Sequence, residues 1–412
     1  VSIESISNGR PPGAIGRWLE SLLPVLDPAR LVDWPRLSEL AAALNETLVT
    51  HPLDAGLTGG VERSRRLHDI RRALAVRGHL NTGGHPPLFG VLTQFVCGYR
   101  DIDLRDATGL GHGQLIARHG SARARQHWIP RLLAGELAGI AVTEAHGGSR
   151  PAETRTAAVH GSDGTWLITG GKTWISRLNE AAVFVVFFLD PHGHLAAAAI
   201  DATTPGLHRQ PLSPTGLAGW SWGVLELDAV PVRDTDVLHG DGMELLREHF
   251  AAYRPLVTAT ALGGAAAVFD TVAATLVARR DNGELTRLRD TALVTLGRTH
   301  AQLMTALLGV VVAAQLSHTE HQDAERWGAA MKAHGIDTAN QAAAELALLL
   351  GAVGYRTDSP VAKIRRDLGG LLYADGIHDS LYRAAGKQHT IADQTLQVAG
   401  RWLDDMPTTG DG

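Results

Sequence analysis

The feature that most constrains this chain is a double change in its hydrophobic period. Residues 15–135 read as helices joined by short Gly/Pro breaks. Leu37, Leu40, Leu44 and Leu48 recur at helical spacing, as do Ile129, Leu132 and Leu133. From Ala138 to Gly240 the pattern shortens to β-type runs at 166–169, 183–189, 195–200 and 224–227. Pro205-Gly206 and Pro214 mark turns between them. From Met243 the helical period returns, Ala-rich, over about 243–281, 285–316, 322–352 and 358–400, with Gly351 and Gly354 as a break and 407–412 as a frayed tail. The order predicts an α+β fold with its sheet segregated mid-sequence. The expected parts are an N-terminal helical domain (1–137), a middle β-barrel-like domain (138–240) and a C-terminal four-helix bundle (241–412). No βαβ alternation, no GxGxxG after a strand and no GxxxxGK[ST] is present, so a Rossmann or P-loop site has no support.

Composition narrows the function classes. A chain of 412 residues, 44% apolar, has enough side chains for two to three cores. Its 38 basic and 43 acidic residues leave a net charge of −5, which argues against gripping nucleic acid by bulk charge. Cys97 stands alone, so neither a disulfide framework nor a Cys-rich zinc site can form. The 20 histidines are scattered without HExxH spacing. Pro191 and Gly193 between Asp190, His192 and His194 mark a turn, so no metal is expected. No uninterrupted apolar run reaches about 18 residues. The first twenty residues carry no signal pattern. The expectation is a cytoplasmic protein that does not use a membrane.

Three stretches carry candidate chemistry. Ala141-Val142-Thr143-Glu144-Ala145-His146-Gly147-Gly148-Ser149-Arg150 puts hydroxyls and glycines in a turn after an apolar strand, where backbone N–H groups can approach a ligand. In Gly170-Gly171-Lys172-Thr173-Trp174-Ile175-Ser176, a Trp beside a hydroxyl can face a planar ring. The competing reading is a hairpin with a core Trp. In Tyr373-Ala374-Asp375-Gly376, a carboxylate in apolar surroundings can act as a base, although Asp-Gly is also a routine turn. Taken one at a time, each stretch favours the plain structural reading.

In this order and at these separations, the three stretches resemble the acyl-CoA dehydrogenase family of flavoproteins. Further matches are Gly109-Leu110-Gly111-His112 and the run Trp128 to Glu136. Asp228-Ala229-Val230-Pro231-Val232, Phe250 with Arg254, and Gly351-Ala352-Val353-Gly354-Tyr355 follow in order. The resemblance covers nearly the whole chain, weakly before residue 90. It implies FAD, with Val142 and Thr143 facing the flavin pyrimidine, and Trp174, Ile175 and Ser176 lining the ring. It places Ser149 at the cofactor phosphate or the substrate's pantetheine arm. Arg254, with Tyr253 beside it and Gly376 opposite, falls in the substrate pocket. Arg279 would reach the FAD of a neighbouring subunit, near Gly351. The family's catalytic Glu aligns with Asp375, making it the implied base.

The implied activity is α,β-dehydrogenation of an acyl thioester carried on CoA or an acyl carrier protein, in secondary metabolism. Electrons would pass to a flavoprotein or to oxygen, and the assembly would be a homodimer or homotetramer. The alternatives are a flavin-dependent oxidase or monooxygenase on the same fold, and a flavin-free homologue doing non-redox thioester chemistry. Departures from the pattern motivate them. Asp375 is one methylene shorter than Glu. Leu348, Asn282, Arg289-Asp290 and Ile377 stand where relatives hold the cofactor, and Arg150 replaces an Asp. Each lost polar contact costs about 0.5–1.5 kcal/mol.

Overall fold

The computed structural model describes residues 14–54, 56, 59–81, 83–147, 150–161, 164–387 and 390. Helices α1 (Leu23–Leu26), α2 (Trp34–Thr50), α3 (Val61–Val76), α4 (Pro87–Arg100), α5 (Gln114–His119) and α6 (Ala122–Leu133) come first. Strands β1 (Leu137–Ala141), β2 (Ala157–His160), β3 (Thr165–Ser176), β4 (Ala181–Leu189), β5 (Leu195–Asp201), β6 (Leu207–Leu212) and β7 (Trp222–Arg233) follow. Helices α7 (Gly242–Asp281), α8 (Asp290–His318), α9 (Ala324–Leu348), α10 (Pro360–Leu371) and α11 (His378–Lys387) close the described chain. The expected α+β order is present. The last expected helix, 358–400, is instead two helices separated by residues 372–377, and its end lies outside the described residues, as does the 407–412 tail.

The seven strands form one mixed sheet in the order β1-β4-β2-β3-β7-β6, with β5 on β4. The unbroken apolar run of β4 follows from its being covered on both faces. Phe184, Val186 and Phe188 pack with Ile168, Ile175 and Leu225 inside the sheet layer. Val183, Val185 and Phe187 pack on the other face against Leu115, Trp128, Leu132 and Leu245. The period-2 alternation of one strand therefore docks the sheet onto α5, α6 and the start of α7.

A third core joins the N-terminal helices to α7–α10. Here α4 and α7 cross at glycines. A Cβ on Gly98 would lie 2.0 Å from the Thr260 carbonyl oxygen, and one on Gly263 2.1 Å from that of Phe95. By length and composition, α7 and α8 are each apolar enough to cross a membrane, although neither is an uninterrupted apolar run. Half of the apolar window of α7 is buried inside the protein.

Candidate functional site

The Gly170-Gly171 stretch is not a hairpin. It lies inside the continuous strand β3, whose pairing with β7 slips between Lys172 and Ile175. At this bulge Trp174 has φ +58°. The alternation breaks there: Lys172 is buried, Ile175 enters the sheet core, and the Trp174 indole is 57% exposed. A core Trp is thus excluded. The neighbouring loop after β1 is tied to β3 by Thr173 N–H donating to the Thr143 carbonyl at 2.8 Å. The Lys172 ammonium donates to the Val142 carbonyl at 3.2 Å and to Glu144 Oε1 at 2.8 Å. Glu144 also accepts from the Arg155 and Thr156 N–H groups. Burial raises its pKa, but the Lys172 and Thr156 hydrogen bonds outweigh that and hold it low. Val142, Thr143, Trp174 and Ser176 consequently share one braced edge, with Val142, Thr143 and Ser176 half-buried. Ser149 lies outside the described residues.

The break between α10 and α11 carries Asp375 in left-handed backbone at φ +57°, followed by Gly376 at φ +111°. Two cations brace this turn. Arg254 Nε donates to the Asp375 carbonyl at 3.1 Å, while its guanidinium lies over the Phe250 ring at 5.0 Å. Lys332, wholly buried on α9, donates to the carbonyls of Leu371 (2.9 Å) and Gly376 (2.7 Å). Burial drives the Lys332 pKa down to about 7 against the pull of Asp375. The Asp375 carboxylate itself makes no hydrogen bond. Burial pushes its pKa up, opposed by Lys332, Arg177, Arg105 and Arg254.

Arg177, the residue after Ser176, brings the β3 edge to this turn. It is 2% exposed, has φ +59°, and donates to Asp106 Oδ1 at 2.5 Å and to Ser176 Oγ at 2.8 Å. Its Nε has no hydrogen-bond partner. Tyr253 sits between these groups, 4.6 Å from the His112 ring and stacked at 5.3 Å on His249. His112 Nδ1 and His249 Nε2 are 3.0 Å apart. Burial lowers both pKa values, that of His249 to about 3, so the pair is neutral. Arg279 is elsewhere: 25 residues beyond Arg254 on α7, about 37 Å along a helix axis. There it reaches the Leu350 carbonyl at 3.4 Å, beside Gly351 at φ +66°.

The expected residues therefore fall into three groups. Ser176, through the adjoining Arg177, lies near Tyr253 and Asp375, and Arg254 and Gly376 belong to the Asp375 turn; Trp174, Val142 and Thr143 stand on the β3 edge, while Arg279 and Gly351 stand apart. The sequence reading missed Arg177, Lys332 and the Glu144–Lys172 latch. Arg177 was visible only as a cation next to a recognised motif. Nothing local marks Lys332, which matters through contacts on another helix.

The one group of candidate metal ligands among the described residues is Asp101, Asp103 and Asp367. Protein cations occupy it. The Lys363 ammonium lies 2.8 Å from Asp101 and 3.1 Å from Asp103, and the Arg63 guanidinium lies 2.6 and 2.9 Å from the same two. Asp190 accepts from the N–H groups of His192 and His194, an Asx turn.

A mixed sheet inserted between helical parts is the architecture of acyl-CoA dehydrogenases. A glutaryl-CoA dehydrogenase from Mycobacterium smegmatis, solved in complex with FADH2, superposes with TM-score 0.74 at 20% identity over 89% of this chain and 97% of that one. The prolyl acyl carrier protein oxidase AnaB superposes with TM-score 0.74 at 16% identity, over 87% and 100%. The chain belongs to the acyl-CoA dehydrogenase family: the family's middle-domain model matches residues 139–230 and its C-terminal-domain model residues 240–389. A probable short/branched chain specific acyl-CoA dehydrogenase of Dictyostelium discoideum is 27% identical over 259 residues, 61% of this chain and 62% of that protein.

Proposed function

We propose that the protein is an FAD-dependent dehydrogenase of an acyl thioester, with Asp375 as its base. The observation that carries this reading is the Asp375 carboxylate. It is free of hydrogen bonds, raised in pKa by burial, and held on a turn that Arg254 and Lys332 brace. A base kept partly desolvated among cations is suited to a weakly acidic α-proton. The same cations favour the negative charge that develops on the thioester as the proton leaves. The braced β3 edge fits a flavin: the Trp174 indole offers an exposed aromatic wall, and Thr143 and Ser176 offer hydroxyls beside it. When bound there, FAD supplies the hydride acceptor.

The separation of Arg279 and Gly351 from the Asp375 turn supports a homodimer or homotetramer in which they serve a neighbouring copy's cofactor. Exposed Leu293, Val294, Leu308 and Val312 on α8 give such an assembly an apolar face. The thioester carrier is CoA or an acyl carrier protein, and the electrons go to a flavoprotein or to oxygen. We place the protein in the cytoplasm, in a secondary-metabolite pathway. The first of these assignments is supported by the single, buried, free Cys97, the second by the breadth of the departures from the family pattern.

The test is a visible spectrum of the protein before and after incubation with FAD, then anaerobic titration with acyl thioesters. Flavin bands that bleach on titration are expected. An empty spectrum after FAD addition would overturn the cofactor assignment. Flavin that no thioester bleaches, but that supports oxygen uptake with another substrate, would overturn the dehydrogenase reading.

A further inference from the structure

Asp190, His192 and His194 share one turn, and their spacing alone supplies no further ligand for a metal. The fold supplies one. Strand β2 ends at His160 and pairs with β4 at a single position, Ala157 against Leu189. Past that position the β4–β5 turn lies beside the end of β2. The His160 ring is 6.2 Å from the His192 ring, which is 6.5 Å from the His194 ring, centre to centre. Period 2 puts His160 on the same face as Ala158, which belongs to the sheet core. The three imidazoles therefore gather where that core ends. All three residues are exposed, and their ring nitrogens make no hydrogen bond among the described residues. Packing and hydrogen bonding do not account for the grouping.

The turn itself prepares one of the rings. Asp190 Oδ1 accepts the His192 and His194 N–H groups at 2.8 and 2.9 Å, and Gly193 takes the left-handed region at φ +86°. The other oxygen, Oδ2, lies 3.6 Å from His194 Nδ1. A carboxylate on that side favours the proton on Nδ1 and leaves Nε2 with its lone pair free, the arrangement found behind metal-binding imidazoles.

We propose that His160, His192 and His194 bind one divalent transition ion of the zinc class, with Asp190 orienting His194. The site uses none of the residues assigned to the thioester or the flavin and is independent of that reading. An ion bonded to ring nitrogens at about 2.1 Å lies about 3.2 Å from each ring centre, so two rings sharing a tetrahedral ion stand about 5.3 Å apart. The two observed separations exceed this by about 1 Å, which rotation of exposed side chains closes. The Asp101, Asp103 and Asp367 oxygens, in contrast, already converge, but on protein cations. Three imidazoles select zinc, nickel or copper over calcium and magnesium, which take oxygen ligands. The ion ties β2 to the β4–β5 turn where the pairing between β2 and β4 has stopped.

The test is calorimetric titration of the full chain, freed of metal with a chelator, with zinc chloride near neutral pH. One Zn²⁺ is expected, with a dissociation constant of about 1–10 µM. His160→Ala and His192→Ala should each weaken binding at least about tenfold, and Asp190→Asn, which keeps an acceptor oxygen for the turn, by a few-fold. His160 and His192 are exposed, so these variants are expected to fold. Zn²⁺ should also raise the thermal unfolding midpoint of the wild type and leave that of His160→Ala unchanged. A dissociation constant weaker than about 100 µM, or binding untouched by His192→Ala, overturns the site. Wild-type binding in His160→Ala confines the ion to the turn and overturns the link to β2.

Discussion

Two buried charge clusters in this protein use the same residue types to opposite ends. In the first, Asp101 and Asp103 pair with both Lys363 and Arg63 at 2.6–3.1 Å, and Asp367 pairs with Lys363 at 2.5 Å and accepts from the Leu217 N–H at 2.7 Å. Burial disfavours the Asp103 anion, yet Lys363 and Arg63 outweigh it and keep that carboxylate ionised, whereas at Asp367 burial prevails and raises the pKa to about 6. That cluster ties the segment after α4 to α10 and to the loop before β7. In the second, Asp375 has cations near it but no hydrogen bond, Arg177 keeps a free Nε, and burial raises the carboxylate's pKa. Closely paired charges hold the architecture, whereas a carboxylate left without a hydrogen bond is suited to take up a proton.

The comparison can be broken at either cluster. The largest effect is expected at Asp375→Asn. The exchange of a thioester analogue's α-proton should fall by roughly 10²–10⁴-fold, with FAD retained and stability unchanged or improved. Exchange at the wild-type rate would remove Asp375 as the base. Lys363→Met is the mirror case. It removes one of the two cations that Asp101 and Asp103 share and, among the described residues, the only one on Asp367, and should cost about 3–5 kcal/mol in denaturant unfolding. A loss under about 1 kcal/mol would show that the first cluster contributes little to holding the architecture.

Lys332 sharpens the contrast, since it braces the Asp375 turn from a buried position. Its folded pKa of about 7 lies below the ordinary 10.5. Between these values the unfolded chain holds a proton that the folded protein has released, so stability from this group rises with pH across that window. Below about pH 7 the penalty is present in full. Lys332→Met should flatten the rise, measured as the difference in unfolding free energy between wild type and variant from pH 7 to 10. Parallel profiles would contradict the lowered pKa of the buried lysine. The smallest effect on stability belongs to Trp174→Ala, within about 0.5 kcal/mol, because the indole is exposed. FAD retention in a filtration assay should nonetheless drop several-fold. Unchanged retention would move the flavin away from the β3 edge.

Much of the fold was legible in the residues alone. Leu37, Leu40 and Leu44 are buried on one face of α2, and the 183–189 run is the doubly covered strand β4, because hydrophobic period reports burial directly. The last helix was misread as continuous over 358–400, since Asp-Gly at 375–376 is a weak break until its backbone is seen in the left-handed region. The site was legible only in part. The motif stretches named Trp174, Ser176, Arg254 and Asp375, but a motif says nothing about exposure.

The sequence by itself determined the helix–sheet–helix order, the family, and the residue types at the site, because period and motif are properties of neighbouring residues. Only the tertiary structure decided that a bulge in β3 turns Trp174 outward and that Lys332 clamps the Asp375 turn from another helix. It also decided that Arg177 is buried beside Asp375 with one N–H unspent. These depend on register and on contacts between elements far apart in the chain, where burial strengthens every charge and no local pattern records it.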